Sequence, residues 1–403
     1  MDMEKIIAAV DKEYILSVRR ELHMYPELAF DLPKTTALIR RELEAMDIPY
    51  TERYGKSSIV GFINPDCKGF SIALRADTDA LPLTEKTDLP YASRHPGMMH
   101  ACGHDAHTAM LLGTAKALKS VENKLACRVA LIFQACEEGE LSGAKLMVED
   151  GIAEQADVFL GMHIENWLDA GTVGICPGVS MAASHPLHIE FFGKAAHASL
   201  PQSGVDALAM AVETYNGIVN MKATQMNPFE QYICSVGMLS AGSTDNVIPE
   251  YAQLKVSLRT YDTAVEKFIV DNIRTLAENA AARRGGTIAF HEDTKALPLV
   301  NHPEVSRLVL ASAAKVVGED HVVTMPKKLS SEDFSFYAAK KPSAFLRLGT
   351  RNEAKGCTTL PHNNDFLLDE DALELGSKVC VQFVLDNMSG IFNNEDVSLE
   401  SGL

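Results

Sequence analysis

Apolar positions along the chain fall into two kinds of run. In the first fifty residues they recur at helical spacing, for example at Ile6, Val10 and Ile15. Farther along, short continuous apolar runs alternate with helical segments. The runs cover 70–75, 128–133 and 157–162, and helices are predicted over about 105–119 and 142–148. Continuous apolar runs are typical of strands buried on both faces, so we predict an α/β domain with a mostly parallel sheet and helices on both faces.

The middle of the chain has a different pattern. From about residue 182 to 292, polar and apolar residues alternate in short runs, and two long helices are predicted near 204–221 and 262–284. Alternation is typical of an antiparallel sheet that has one face covered by helices. We therefore predict an α+β domain, residues 182–293, inserted into a first domain made of residues 1–181 and 294–403.

Composition and charge narrow the class of protein. The chain has 403 residues, 46% of them hydrophobic, and a formal net charge of -17. This acidic balance argues against nucleic acid and anionic membrane as partners. The start of the chain lacks the basic segment and long apolar run of a secretory signal, and the eight cysteines show no framework spacing. We therefore expect a cytoplasmic protein with reduced thiols.

The candidate chemistry centres on a loop of mixed donors. Cys102 and His104 lie in a nine-residue run, 99–107, that holds one thiol, three imidazoles and a carboxylate. Thiolate sulfur and imidazole nitrogen are donors that first-row metal ions prefer. Glu138, His163 and His362 add further donors from separate segments, and five such donors suggest two metal ions. Neighbouring side chains of an extended segment point in opposite directions, so one of Glu137 and Glu138 can bind metal while the other acts as a general base.

Each of these residues has an ordinary structural explanation when it is taken alone. The pair Glu137 and Glu138 is more often an exposed acidic pair, and His163 after a strand could be a hydrogen-bonded core histidine. Asp77 and Asp79 could form a helix-capping turn or orient a ligand histidine. The metal hypothesis therefore depends on several segments meeting at the carboxyl ends of the predicted strands, where open α/β sheets bind ligands.

Taken together, these segments resemble the M20 metallopeptidase family, in particular its amidohydrolase branch of aminoacylases, hippurate hydrolases, indole-acetyl-amino-acid hydrolases and N-acetyl-diaminopimelate deacetylases. The resemblance covers nearly the whole chain, and its motifs occur in the order that the family shows. The segments that carry it are Arg19–His23 with Pro26 and Glu27, Leu74–Pro82, Met99–Asp105, Phe133–Gly139, Gly161–His163, Gly193–Ala198, Asn246–Pro249, Ser331–Phe334, and Pro361 with His362.

The resemblance implies a site with two divalent metal ions, zinc or manganese, with cobalt or nickel as further alternatives. Carried over residue by residue, the expected metal ligands are Cys102, His104, Glu138, His163 and His362. Glu137 is then expected to be the general base and Asp79 a residue that supports the site.

The resemblance also assigns roles to the inserted segment, which would serve as a lid or dimerisation domain. His197 would polarise the scissile carbonyl, while Asn246 and Arg259 would contact the substrate. The alternative for these last two residues is a strand-end cap and a surface charge. The family resemblance further suggests a homodimer, or a tetramer of paired dimers.

The expected function is hydrolysis of the amide bond of N-acyl amino acids or similar small amides by metal-activated water. Two alternatives stay open: a dipeptidase or carboxypeptidase on the same two-metal site, and a catalytically idle homologue that binds an acyl amino acid. The sequence departs from the commonest family pattern at Cys136, at Gly139–Gly143, and at Asn363 and Asn364. None of these positions is an expected ligand or the expected base, so the departures concern the shape of the substrate pocket.

Overall fold

The computed structural model describes residues 3–391, so the last part of the predicted segment 294–403 lies outside the described residues. The described chain divides into two compact units. Unit 1 takes the residues up to Ser180, Val300–Lys327, and the residues from Asp333 onward. Unit 2 takes Met181–Leu299 and Lys328–Glu332.

Unit 1 contains a sheet that has eight strands within residues 3–391. In spatial order they are β1 (Tyr50–Thr51), β2 (Ile59–Ile63), β4 (Arg128–Gln134), β3 (Ser71–Asp77), β5 (Val158–Asp169), β17 (Ser343–Arg351), β6 (Val173–Ile175) and β16 (Val322–Thr324). The four central strands, from β4 to β17, run parallel to one another. By contrast, β2 is antiparallel to β4, and β6 is antiparallel to β17. The sheet is therefore mixed: the predicted parallel pairing is found among the central strands and between β6 and β16, while the remaining pairs are antiparallel.

The helices of unit 1 follow the predicted order. They are α1 (Met3–Ala8), α2 (Lys12–Met24), α3 (Pro33–Ala45), α4 (His104–Lys119), α5 (Gly143–Glu149), α8 (Pro303–Val317), α9 (Ser335–Ala338) and α10 (Leu373–Asn387). Helix α4 packs against β3, and α8 packs against β17. All seven residues of β3 are buried, as the continuous apolar run predicts for a central strand.

Unit 2 is built on an antiparallel sheet in the order β11 (Tyr232–Ala241), β13 (Tyr251–Thr260), β9 (Leu187–Phe192) and β14 (Thr287–Glu292), with β8 (Ala183–Ser184) also paired to β13. Burial alternates along β13, because its even-numbered residues face the two helices. Those helices are α6 (Ala207–Thr224), which packs on β11, β13 and β9, and α7 (Thr263–Ala282), which packs on β13 and β14. The antiparallel sheet predicted for this segment is confirmed, while its service as a lid or dimerisation domain stays a prediction.

Two short ladders complete the strands: β7 (Gly178–Met181) pairs with β15 (Leu299–Asn301), and β10 (Ala196–His197) pairs with β12 (Val247–Ile248). Among the described helices, none combines the length and the apolar character needed to cross a lipid bilayer.

A buried arginine joins the central strands of unit 1. The guanidinium of Arg75 on β3 donates to Asp77 Oδ2 at 2.7 Å, to Asp333 Oδ1 at 2.8 Å and to Gln134 Oε1 at 2.9 Å. Asp333 also accepts hydrogen bonds from Ser142 Oγ and from the Gln134 amide. The guanidinium side chain is fully shielded from solvent, so water cannot replace either of its two carboxylate partners.

We expect Arg75→Met to lower the free energy of unfolding by about 3–5 kcal/mol, because it leaves Asp77 and Asp333 buried without their cation. Urea titration followed by circular dichroism measures this change. Arg40→Met is the matched control, since Arg40 forms a comparable two-point pair with Glu52 at the exposed surface. The control should cost about 1 kcal/mol or less, and an equal loss in both variants would contradict the prediction.

Candidate metal centre and the residues around it

The expected metal ligands come from four separate segments of unit 1. Glu138 follows β4, while Cys102 directly precedes Gly103 and His104 at the start of α4. His163 lies inside β5, which continues to Asp169, so the prediction that this strand ends at His163 is wrong. His362 lies in the connection between β17 and α10.

These five side chains come together. Cys102 Sγ lies 3.3 Å from His163 Nε2, and His362 Nε2 lies 3.1 Å from Glu138 Oε1. His104 Nε2 lies 4.0 Å from the same Glu138 oxygen. Donor atoms within 4.8 Å of one another form overlapping groups: Cys102 with His104 and His163, Cys102 with Glu138 and His362, and His104 with Glu137 and Glu138. The three groups overlap in pairs: the first two share Cys102, the first and third share His104, and the second and third share Glu138.

A glycine sets the spacing between Cys102 and His104. Gly103 has a φ of +86°, in the left-handed region that L side chains rarely adopt. A Cβ added there would lie 2.7 Å from Ile164 Cγ1, so space as well as backbone geometry excludes a side chain. This residue allows the chain to turn between the thiol and the first residue of α4.

The electrostatics of the cluster favour a cation. Burial alone would lower the pKa of His104, but the carboxylates of Asp77, Asp79 and Glu138 outweigh it and raise that pKa to about 10. Burial raises the pKa of the Cys102 thiol, and Glu138, Glu137 and Asp77 raise it further. The negative field of these carboxylates would equally stabilise a bound metal ion, which deprotonates thiol ligands.

An unsatisfied side chain provides the test of whether a metal ion fits. His104 is 1% exposed, and neither of its ring nitrogens makes a hydrogen bond to any described residue. A buried polar atom without a partner typically costs about 1–3 kcal/mol. The nearest carboxylate oxygen to Nδ1, Asp79 Oδ1, is 3.5 Å away. Thiol, imidazole and carboxylate donors beside such a histidine match the ligand chemistry of zinc and related ions.

Asp79 supports the glutamate pair through the main chain. Its Oδ1 accepts a hydrogen bond from the Glu137 N–H at 3.0 Å, and its Oδ2 accepts one from the Glu138 N–H at 3.1 Å. The preceding residue, Cys136, has a φ of +58°, so the chain turns sharply as it enters this pair. One buried carboxylate thus sets the direction of both glutamates.

A second layer lies behind His104 and contains Asp77, for which the sequence offers a helix-capping turn or the orientation of a ligand histidine. Asp77 accepts a 2.6 Å hydrogen bond from His107 Nδ1, and the Ile164 N–H donates to His107 Nε2 at 3.0 Å. Both ring nitrogens of His107 are therefore engaged, as expected for a supporting residue. Burial alone would raise the pKa of Asp77, but His104, His107 and Arg75 outweigh it and hold that pKa well below its usual range. The alternation of Arg75, Asp77 and Asp79, at the end of β3 and just beyond it, was the available signal.

The expected substrate-side residues all belong to unit 2. His197 on β10 is exposed, and its Nδ1 accepts hydrogen bonds from the Ser199 N–H at 3.2 Å and the Ser199 hydroxyl at 2.8 Å. In the neutral ring the proton must then lie on Nε2, which is left as a donor. Val247 pairs with His197, and the Asn246 carbonyl accepts a hydrogen bond from the Ala198 N–H, so His197 and Asn246 are neighbours.

Arg259 lies on a different element, strand β13. Its Nη1 donates to Ser331 Oγ at 3.0 Å and lies 3.5 Å from the Leu329 carbonyl oxygen. Burial lowers the pKa of this guanidinium. Within the described residues, no carboxylate oxygen lies within 4.0 Å of it, so Arg259 is a partly buried cation without an ion pair.

Comparison with known proteins identifies the family of this chain. Residues 73–386 match Peptidase family M20/M25/M40. The chain is 35% identical to thermostable carboxypeptidase 1 of Saccharolobus solfataricus over 370 residues, which cover 91% of this chain and 93% of that protein. It is also 35% identical to an N-acetyl-L-cysteine deacetylase of Bacillus subtilis over 369 residues, covering 91% of this chain and 86% of that protein.

A solved structure extends the likeness to the fold. The crystal structure of the YxeP protein of Bacillus subtilis, a dinuclear metal binding peptidase from the M20 family, has a TM-score of 0.77 and 31% sequence identity. The match covers 93% of this chain and 98% of that chain. Because the sequence and structure matches all span most of the chain, it belongs to Peptidase family M20/M25/M40 and is a hydrolase of that family.

Proposed function

We propose that this hydrolase cleaves the amide bond of small N-acyl amino acids and releases a carboxylic acid and an amino acid. The observation that carries the proposal is the convergence of Cys102, His104, Glu138, His163 and His362 beside Glu137. The deacetylase name of one relative supports an N-acyl amino acid as the substrate class.

The five converging residues would hold two divalent metal ions. When bound, the metals would acidify a water molecule and polarise the amide carbonyl. A thiolate and three imidazoles among the donors favour zinc, while the carboxylate of Glu138 is also suited to manganese. The buried second layer of Asp77 and His107 would keep the His104 ring in place.

Glu137 would move the proton. Its main chain is fixed by Asp79, and its carboxylate lies in a group with His104 and Glu138. As general base, one carboxylate oxygen of Glu137 would take a proton from the attacking water and then deliver it to the leaving nitrogen. This exchange balances, because hydrolysis of an amide needs one proton on the departing amine.

On unit 2, His197 would donate its Nε2–H to the scissile carbonyl oxygen. The hydrogen bonds from Ser199 to Nδ1 hold the ring in the tautomer that can do so. Removing one donor of this kind typically costs about 10²–10³ in rate. Asn246 would bind the substrate beside His197, and Arg259 would bind its carboxylate.

A carboxypeptidase or dipeptidase is the second candidate, because a carboxypeptidase is among the relatives that are 35% identical. Both reactions would use the same ligands and the same base. They differ in the group on the acyl side of the scissile bond, which is a simple acyl group in one case and an aminoacyl group in the other. A catalytically idle homologue is disfavoured, because the expected ligands and base are all present.

A homodimer is proposed from the surface of unit 2. Leu208, Val212, Tyr215 and Val219 recur at helical spacing on α6, and each is at least 38% exposed. The adjacent strand β11 is an edge of the described sheet, with Met238 and Leu239 also exposed. An exposed apolar stripe beside an open strand edge is suited to an isologous contact with a second copy.

A cytoplasmic location is proposed from the thiols, since the eight cysteines are all free and none forms a disulfide.

A substrate panel tests the proposed function. The metal-reconstituted enzyme should hydrolyse at least one of a set of acetyl, benzoyl and indole-acetyl amino acids faster than matched dipeptides. Amine release measured by a ninhydrin assay gives kcat/KM for each compound. Turnover of dipeptides alone would favour the second candidate, and no turnover at full metal occupancy would overturn both.

Glu137→Gln should lower kcat by about 10²–10⁴-fold, because the amide cannot accept the proton from water. Metal content, measured by inductively coupled plasma mass spectrometry, should be unchanged, since Glu137 is not an expected ligand. Glu140→Gln is the control, because Glu140 is an exposed carboxylate three residues along the same loop. Near-normal turnover of Glu137→Gln would remove its assignment as the base.

The double variant Val212→Glu with Val219→Glu should convert the dimer to a monomer, because charge repulsion would replace the apolar contact on α6. Multi-angle light scattering measures the mass directly. Phe268→Glu is the matched control, since Phe268 is a similarly exposed apolar residue on α7. If the double variant keeps the mass of the parent, α6 is not the dimer contact.

A further inference from the structure

Unit 2 contains a cavity whose charged lining is entirely cationic. The cavity has a volume of about 330 Å³ and is lined by Ser184, Pro186, Gly237, Lys255, Val256, Ser257, Arg259 and Lys295. This volume falls within the range of small-molecule sites, about 300–1,000 Å³. Three cations and no carboxylate around one cavity are unexpected in a chain with a net charge of -17. An uncompensated group of like charges disfavours folding, so it calls for a ligand of opposite sign.

The strand register places two of the three cations on one face of the sheet, and a main-chain hydrogen bond brings the third near them. Lys255 and Arg259 are four residues apart on β13, so both project from the face opposite the helices. Ser184 pairs with Arg259 across β8, and the Lys295 N–H donates to the Ser184 carbonyl at 2.9 Å. Main-chain pairing therefore holds all three residues at the same end of the sheet.

None of the three cations has a counterion within residues 3–391. Among residues 3–391, no carboxylate oxygen lies within 4.0 Å of the charged nitrogens of Lys255, Arg259 or Lys295. Glu292, which ends strand β14 three residues before Lys295, instead pairs with Arg274 at 3.1 Å. The hydrogen bonds of Arg259 go to Ser331 Oγ and the Leu329 carbonyl, which leave its charge uncompensated.

The floor of the cavity is left open by a glycine. The register between β11 and β13 shifts between Val236 and Met238, which marks a bulge at Gly237. A Cβ added at Gly237 would meet no atom within 4 Å, so this part of the cavity is free space.

We propose that Lys255 and Lys295 bind a second carboxylate of the substrate, so that the enzyme prefers N-acyl derivatives of acidic amino acids. The inference rests on the proposed function, in which Arg259 binds the carboxylate common to all N-acyl amino acids. The common carboxylate of the substrate would compensate the charge of Arg259. A side-chain carboxylate would compensate the charges of Lys255 and Lys295 in part. A site that pairs charged groups with a ligand strongly rejects the neutral isostere, because its cations are then left unpaired.

N-acetyl-L-glutamate and N-acetyl-L-glutamine provide the test, since they have the same shape and differ in one charge. We expect kcat/KM to be at least about tenfold higher for the glutamate compound. In the double variant Lys255→Met with Lys295→Met, this ratio should fall to about one. Lys267→Met is the matched control, because Lys267 is an exposed lysine of unit 2 that pairs with Asp271 on α7, and it should keep the ratio.

A binding measurement separates failure of this inference from failure of the proposed function. Glutarate should bind the metal-loaded enzyme at least about tenfold more tightly than glutaramate by calorimetry, and the double variant should lose this difference. Absence of turnover with every acyl amino acid would overturn the proposed function but leave the glutarate result as a test of the cavity. Equal kcat/KM for the two substrates, or a glutarate preference that survives in the double variant, would overturn the inference.

Discussion

The buried guanidinium of Arg75 holds together the part of unit 1 on which the candidate site depends. It pairs with Asp77 on its own strand and with Asp333 from the later part of the chain, and it also donates to Gln134 on the neighbouring strand. Each partner would be costly to bury alone, so the four groups stabilise one another only as a set. This constraint fixes the ends of β3 and β4, from which Asp79 and the glutamate pair extend.

The same network connects stability with the chemistry of the site. Asp77 contacts Arg75 with one oxygen and His107 with the other, and the His107 ring stacks at 5.4 Å on that of His104. Asp79, two residues later, directs the main chain of Glu137 and Glu138. A single strand end therefore sets both a candidate ligand and the candidate base. Several carboxylates surround His104, and their negative charge would stabilise a cation bound there.

Much of this arrangement could be predicted from the sequence, and the exceptions have physical causes. The strands β3, β4 and β5 and the helices α4, α5, α6 and α7 match the segments that hydrophobic periodicity predicts. Strands β2 and β6 were missed, since short flanking strands carry little periodic signal, and their antiparallel direction made the sheet mixed. The contact of Asp77 with His107 depends on the packing of α4 against β3, which spacing along the chain does not reveal. Likewise, Lys255 and Lys295 look like ordinary solvated charges until the strand register brings them to one cavity.

Gly103 has a consequence for how this site can diversify in evolution. Its positive φ and the nearness of Ile164 leave no room for a side chain at position 103, between Cys102 and His104. The distance between these two donors along the chain is therefore fixed, and an inserted or enlarged residue would disrupt the start of α4. A lineage that changes its metal preference would have to exchange the donor atom at position 102, for example sulfur for oxygen, while the glycine that follows stays invariant.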